Sequence, residues 1–469
     1  MMEQRIESDA LGTLAVPREA WHGIHTQRAL EHSSLTGDRV HPALVKALVL
    51  VKQAAAMVNG KLGLLPPEVA KAVSDACDKV LTEDWRHAFP LHPLQGGAGT
   101  STNMNVNEVL ANLAIHLLGG EKGDYGLVHP LRHVNCSQST NDVYPTAMRI
   151  AAIQQIRSLA DALARLQESL QAKEAAFDRV LKLGRTQYMD AVPVTLGQEF
   201  GAYARAVGRD RWRIYKVEER LREVNIGGTA VGTGLNAPVE YIYRMTDTLQ
   251  QVTGLGLARS DYLMDTTQNM DVFVEVSGLL KSCAVNLVKV ANDLRLLASG
   301  PRGGLGEIRL KPLQAGSSIM PGKVNPVQCE MIVQVGYTVM GNDLKITQAA
   351  SAGVLELNPF GPLIIHSLLE SLELLTQGVE RFRVHCIEPL EADEARCRKL
   401  LDRSYAMATA LSGHLGYDRA SLLAKEALEQ DVSLEALAVS QGLLTADEAA
   451  AICNVHEVTK PGIPGRRKP

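Results

Sequence analysis

Aromatic residues are scarce in this chain, with Phe, Trp and Tyr together making up 4% of its 469 residues, whereas 46% are hydrophobic. A core short of rings and rich in Ala, Leu and Val favours packed helices over sheets. An excess of one charge is lacking too. Forty-eight Lys and Arg stand against 52 Asp and Glu, a formal net charge of −4, so no polycationic surface invites nucleic acid. No run of about 18 or more uncharged apolar residues and no charged-then-apolar leader are visible, so no membrane partner is expected. The seven cysteines are odd in number, scattered and free of CxxC pairs. They read as reduced thiols in a cytoplasmic protein, not as a disulfide framework or a zinc site. Internal repeats and low-complexity tracts are also missing, and the length leaves room for two or three domains.

What is present is helical periodicity. From Arg149 to Val180, apolar residues recur at Ile153, Ile156, Leu159, Leu163, Leu166, Leu170 and Phe177, one face of a long amphipathic helix. Similar patterns cover 193–222, 236–254, 327–350 and 361–386, and 270–299 is apolar on more than one face. Such stripes need covering, either in a very large bundle or by subunit association, and association is the favoured reading. Shorter helices are predicted over 42–60, 66–83 and 103–117, while 1–40 and 118–140 read as irregular. After about Glu391 the pattern breaks into short elements, 393–402, 404–414, 418–430, 433–441 and 445–452, and the tail Lys460–Pro469 reads as disordered.

The most informative stretch is Gly316-Ser317-Ser318-Ile319-Met320-Pro321-Gly322-Lys323-Val324-Asn325-Pro326. Two hydroxyl residues follow a glycine, and the segment runs into the helical pattern from Val327. Asn325 is placed to cap that helix and Pro326 to fill its first position. A helix N-terminus beside Lys323 favours an anion, and a serine among amide donors can hold a carboxylate or remove a proton. By composition alone the stretch would also suit a linker between helices.

Three further polar islands sit at predicted helix edges: Gly99-Thr100-Ser101 with Asn103, Ser139-Thr140-Asn141, and Gly184-Arg185-Thr186-Gln187. Each alone suits a helix cap. Together with the 316–326 stretch they supply neutral donors, one Lys and one Arg, the equipment a small dicarboxylate requires. No metal-ligand spacing stands out: His129 and His133 lie four apart, but Pro130 argues against a helix there. The glycine-rich stretches at 227–234 and 303–306 match neither a phosphate-binding loop nor a dinucleotide fingerprint.

These islands, over essentially the whole chain, resemble the signature regions of the aspartase/fumarase superfamily. Gln95–Ala98 (QGGA), Gly184–Phe200 (GRTQYMDAVPVTLGQEF), Ala298–Arg302 (ASGPR) and His25-Thr26 look closer to its aspartase branch than to the class II fumarases. The resemblance implies an all-α fold of three parts: a mostly helical N-terminal domain (1–139), a central long-helix bundle (140–392) and a small helical C-terminal domain with the disordered tail (393–469). It implies a homotetramer whose active sites are each shared by three subunits. It also implies reversible elimination of ammonia from L-aspartate to give fumarate, with no organic cofactor. By the same resemblance Ser317 is the general base, and Lys323 and Asn325 hold the carboxylate that gains charge. Thr100, Ser139, Thr140, Asn141, Thr186, Gln187 and Ser318 bind substrate, and Glu330 either orients Lys323 or is an ordinary surface residue. Fumarases carry His where Gln187 stands. Hydroxide needs a proton to leave whereas ammonium brings its own, so glutamine there argues for amine elimination.

The alternatives are a fumarate hydratase, a lyase for a substituted aspartate, or a non-catalytic helical scaffold. The second is kept open by Leu131, Arg132 and Cys136. Leu131 and Arg132 replace the family's Asn-Asp, so a secondary carboxylate site is expected to be absent or altered. Cys136 stands where Lys is usual.

Overall fold

The computed structural model describes residues 3–33 and 35–466. It is built from helices with four two-stranded sheets among the described residues, as the all-α expectation requires. Its contacts divide it into two compact units. One comprises residues up to Ala160 with Trp212–Ser282 and Tyr337–Leu375. The other comprises Asp161–Arg211, Cys283–Gly336 and the chain from Thr376 onward.

The first unit opens with the hairpin β1 (Gln4–Asp9) and β2 (Gly12–Pro17), paired from Gln4↔Pro17 to Asp9↔Gly12, and then α1 (Ile24–Ser33). The sequence predicts irregular structure over 1–40, and this hairpin and helix depart from it. Strand β1 is mostly exposed and β2 is half-buried without a regular in–out alternation, so neither shows the apolar period that announces a strand. Helices α2 (Pro42–Lys61), α3 (Pro67–Thr82) and α4 (Thr100–Leu117) follow. Helix α2 begins where expected, with Pro42 at its start and the His41 ring accepting from Ala43 N. By length and composition α2 could cross a membrane. It is instead a core helix, buried at Leu44, Leu48, Val51, Ala55 and Val58.

Helix α5 (Thr140–Ala176) starts nine residues before the predicted Arg149, and Pro145 lies inside it. Proline deletes the hydrogen bond to the carbonyl four residues back. That carbonyl, Asn141 O, accepts from Asn225 Nδ2 at 3.0 Å instead, so the helix runs on through the proline. The hairpin β3 (Leu181–Thr186) and β4 (Met189–Thr195) then leads into α6 (Leu196–Leu221). No strand was anticipated there. A bulge between Leu183 and Arg185 interrupts its two-residue period.

The short parallel pair β5 (Glu223–Val224) and β6 (Ala258–Arg259) flanks α7 (Val239–Thr253), and α8 (Leu263–Gln268) and α9 (Asp271–Leu297) follow. The remaining elements are β7 (Ile308–Arg309), α10 (Val327–Ser351), α11 (Gly361–Phe382) and β8 (Glu391–Ala392), with β7 and β8 antiparallel. Helices α12 (Glu394–Asp402), α13 (Ala408–Leu415), α14 (Tyr417–Gln430), α15 (Leu434–Ser440), α16 (Ala446–Ile452) and α17 (Val455–Val458) close the chain. Among these, Leu411, Leu423, Leu437 and Ile452 share one apolar cluster. The tail is not loose over 460–466: the His414 ring meets Pro464 O at 2.7 Å and Arg466 Nη2 donates to Gly413 O at 3.0 Å. The predicted disorder of Arg467–Pro469 lies outside the described residues.

Candidate active site

In the first unit, Ser139, Thr140 and Asn141 form the entry to α5, tied by Asp142. The Asp142 carboxylate accepts from Ser139 N at 2.9 Å and from Gly227 N and Thr229 N at 3.0 Å each. The glycine-rich stretch at 227–234 therefore turns its amides onto α5. Burial pushes the Asp142 carboxyl up to about 6. Asn141 Nδ2 donates to Ala230 O at 2.7 Å, and Ser139 Oγ accepts from Asn141 N. Behind them stand the buried Lys52 and Asn103, and Asn103 Nδ2 donates to Thr140 Oγ1 at 3.1 Å.

Thr100 begins α4, and its hydroxyl donates to Gly97 O at 2.6 Å. Gly99, which precedes it, has φ +90°, and a Cβ there would lie 2.5 Å from the Tyr144 ring. Only glycine satisfies both conditions. His25 and Thr26 sit at the start of α1, whose free amides are met by the buried Glu108 carboxylate. Gly23 N, His25 N, Thr26 N and Thr26 Oγ1 all donate to it. Burial raises the Glu108 carboxyl to about 7.

In the second unit, Thr186 and Gln187 lie at the tip of the β3–β4 hairpin, both exposed. Gln187 and Tyr188 have φ +55° and +64°, the left-handed pair that a two-residue hairpin turn demands. Below the tip, Arg185 grips the fully buried Glu307 with Nη1 at 2.9 Å and Nη2 at 3.1 Å. Lys182 Nζ lies 2.8 Å from Glu199 and 3.4 Å from Glu307. The arginine counted among the substrate-holding donors is thus committed to an internal carboxylate, and its task is to fix the hairpin.

The 316–326 segment is pinched at its base. Gly316 N donates to Lys323 O at 2.7 Å and Asn325 Nδ2 donates to Gly316 O at 2.9 Å. A Cβ on Gly316 would come within 2.7 Å of Lys323 O. Asn325 therefore staples the loop with the side chain that was expected to cap α10. Ser317 Oγ accepts from Ile319 N at 3.2 Å and Met320 N at 3.0 Å. Two amides aimed at one hydroxyl oxygen stabilise negative charge on it. Ser318 and Lys323 are exposed, and Lys323 makes no ion pair among the described residues. No hydrogen bond joins Glu330 to Lys323 among those residues either. A cavity of about 1000 Å³ in this unit is lined by Tyr188, Lys323, Asn325, Glu330, His385 and Asp393.

Thr100, Ser139, Thr140 and Asn141 therefore belong to one unit, and Thr186, Gln187, Ser317, Ser318, Lys323 and Asn325 to the other. Sequence reasoning missed Lys52 and Glu307. Both carried a legible signal, a lysine set in the apolar run Ala47–Val58 and a carboxylate after the ASGPR string.

His129 caps a single π-helical turn, Pro130–Val134, that contains His133, where a loop was predicted. Proline is tolerated at its first position because no N–H is needed there. His129 Nδ1 accepts from Leu131 N and Arg132 N, and His133 Nδ1 accepts from His129 N. Both rings are engaged in the turn. Among the described residues no group of three or more His, Cys, Asp or Glu side chains is disposed to hold a metal ion. All seven cysteines are free thiols, and Cys136 Sγ lies 3.7 Å from Ser137 Oγ.

Residues 12–341 match the lyase family, and 407–460 match the fumarase C C-terminus. The chain is 46% identical over 463 residues to an aspartate ammonia-lyase of Bacillus sp., covering 99% of both chains. It is 44% identical to a class II fumarate hydratase of Thermosynechococcus vestitus, covering 95% of this chain and 96% of that one. The crystal structure of fumarate lyase:delta crystallin from Brucella melitensis bound to cobalt superimposes with a TM-score of 0.94. It is 45% identical and covers 98% of this chain and 100% of that one.

Proposed function

The chain belongs to the lyase family, and from that premise we propose that it converts L-aspartate reversibly to fumarate and ammonia. The observation that carries the reading is the setting of Ser317. Its Oγ faces two backbone amides, which favour the oxyanion a serine must form to act as a base. Ser317 Oγ takes a proton from C3. The electron pair passes toward the neighbouring carboxylate, which Lys323 and Asn325 hold as it gains charge. The C2–N bond then breaks, the double bond forms, and ammonia departs. Thr100, Ser139, Thr140, Asn141, Thr186, Gln187 and Ser318 hold the two carboxylates and the amine.

Gln187 separates this activity from hydration. Its carboxamide cannot deliver the proton that a departing hydroxide requires, whereas an ammonium group leaves as ammonia without one. Sites shared among three subunits of a homotetramer, the three-part domain division and a cytoplasmic location complete the proposal.

The test follows fumarate by its ultraviolet absorbance, with L-aspartate and L-malate supplied in parallel. Fumarate from aspartate alone is the expected result. Fumarate from malate would overturn the argument from Gln187. Silence on both would redirect attention to a substituted aspartate and to Leu131, Arg132 and Cys136.

A further inference from the structure

Lys52 is fully buried at the centre of α2, and nothing in the proposed chemistry uses it. Its Nζ donates to Asn135 Oδ1 at 2.8 Å and to Gln138 Oε1 at 2.9 Å. A carboxamide has an acceptor end and a donor end of nearly the same shape, so its neighbours decide which way it faces. For Asn135 the shorter contact is the lysine N–H on Oδ1, and at the other end Nδ2 donates to Gln138 O at 3.2 Å in the same sense. With Asn135 Oδ1 turned to Lys52, the same oxygen takes Asn103 Nδ2 and Asn107 Nδ2, each at 3.2 Å.

Both of those asparagines are thereby turned nitrogen-first, and the Oδ1 of each is buried without a hydrogen-bond partner. Unpaired buried acceptors are unfavourable, so the orientation is imposed from outside. Asn103 Nδ2 then makes its second bond, to Thr140 Oγ1 at 3.1 Å. Thr140 is left an acceptor toward the protein, with its own O–H proton available outward. Thr100 shows the contrary case, since its proton is directed to Gly97 O.

We propose that Lys52 is a positioning residue. By fixing the amide orientations of Asn135 and Asn103, it makes Thr140 a hydrogen-bond donor to a substrate carboxylate. Both protonation states of the amine carry the two N–H donors that the arrangement uses. This rests on the lyase activity proposed above.

Steady-state kinetics on L-aspartate with the full chain tests it, using wild type, Lys52→Met, Thr140→Val and the double variant. Lys52→Met is expected to raise KM about tenfold, the worth of one hydrogen bond to a charged group, with kcat changed less than about threefold. The double variant is expected to match Thr140→Val, because the donor that Lys52 secures is already gone. A Lys52→Met KM within about twofold of wild type, or additive effects in the double variant, overturns the proposal. If Lys52→Met does not fold, Asn103→Leu carries the same comparison, since it removes the amide that faces Thr140 and leaves Lys52 in place. No fumarate from the wild type would overturn the activity and this proposal with it. Wild-type turnover with an unmoved KM in the variant would overturn this proposal alone.

Discussion

Ser139–Asn141 and Ser317–Gly322 both place small hydroxyl residues ahead of a long helix, but what lies behind them differs. The first is backed by Asp142, Asn103, Asn225 and Lys52, all buried and joined by hydrogen bonds. The second stands out from its pinched base with Ile319 84% exposed, and its inner bonds are the two amides on Ser317. A segment that must offer donors in fixed directions needs a rigid backing before substrate arrives. A loop that supplies a base carries its chemistry in its own backbone and contributes little to the core. Substitutions in the first should therefore disturb stability and binding together, and substitutions in the second should disturb turnover and leave stability alone.

The largest effect that would sharpen this contrast comes from the exposed loop. Ser317→Ala is expected to reduce kcat roughly 10³-fold, with a melting temperature indistinguishable from wild type. Surviving turnover would remove Ser317 from the base role. On the rigid side, Asp142→Ala leaves Ser139 N, Gly227 N and Thr229 N without their acceptor, and a loss of about 3 kcal/mol in denaturant unfolding is expected. A loss under about 1 kcal/mol would show that water replaces the carboxylate readily.

Next comes a pH effect. Burial holds the Lys52 amine down to about 7, against the pull of Asp142 on α5 and Cys77 on α3. The unfolded chain keeps that proton to about pH 10, so over the interval it binds more protons than the folded chain. Stability therefore rises with pH across that window. It is lost as pH falls through the folded value. Relative to Lys52→Met, the wild type should gain about 2 kcal/mol between about pH 7 and about pH 9. Parallel stability curves for the two proteins would contradict this. The smallest effect returns to the loop: Gly316→Ala meets Lys323 O and should lower kcat/KM about tenfold with little change in unfolding. If unfolding shifted instead, the loop would be part of the core and the contrast would fail.

The long helices were legible because their apolar residues recur at three and four, and Asp271–Leu297 matches its predicted span closely. The polar islands could be read as sites through the strings around them. What could not be read shares a physical cause: it depends on partners distant in the chain. The start of α5 was hidden by Pro145, because the carbonyl that the proline leaves open is met by Asn225, 84 residues away. The β3–β4 hairpin lacks a strand's alternation, and its closing turn uses Gln187 and Tyr188 in a conformation usually left to Gly or Asn. Arg185 counts in the sequence only as one cationic donor among the polar islands, because Glu307, 122 residues on, is not visible as its partner there. Asn325 was assigned to the helix by adjacency, while its amide serves Gly316.

The contact between Gly99 and Tyr144 carries a lesson about inheritance. While a ring occupies position 144, any side chain at 99 collides with it, and the left-handed backbone adds a second barrier. No single substitution at 99 is open to a descendant of this chain, whereas a shorter residue at 144 removes one of the two barriers. Variation at 144 must then precede variation at 99.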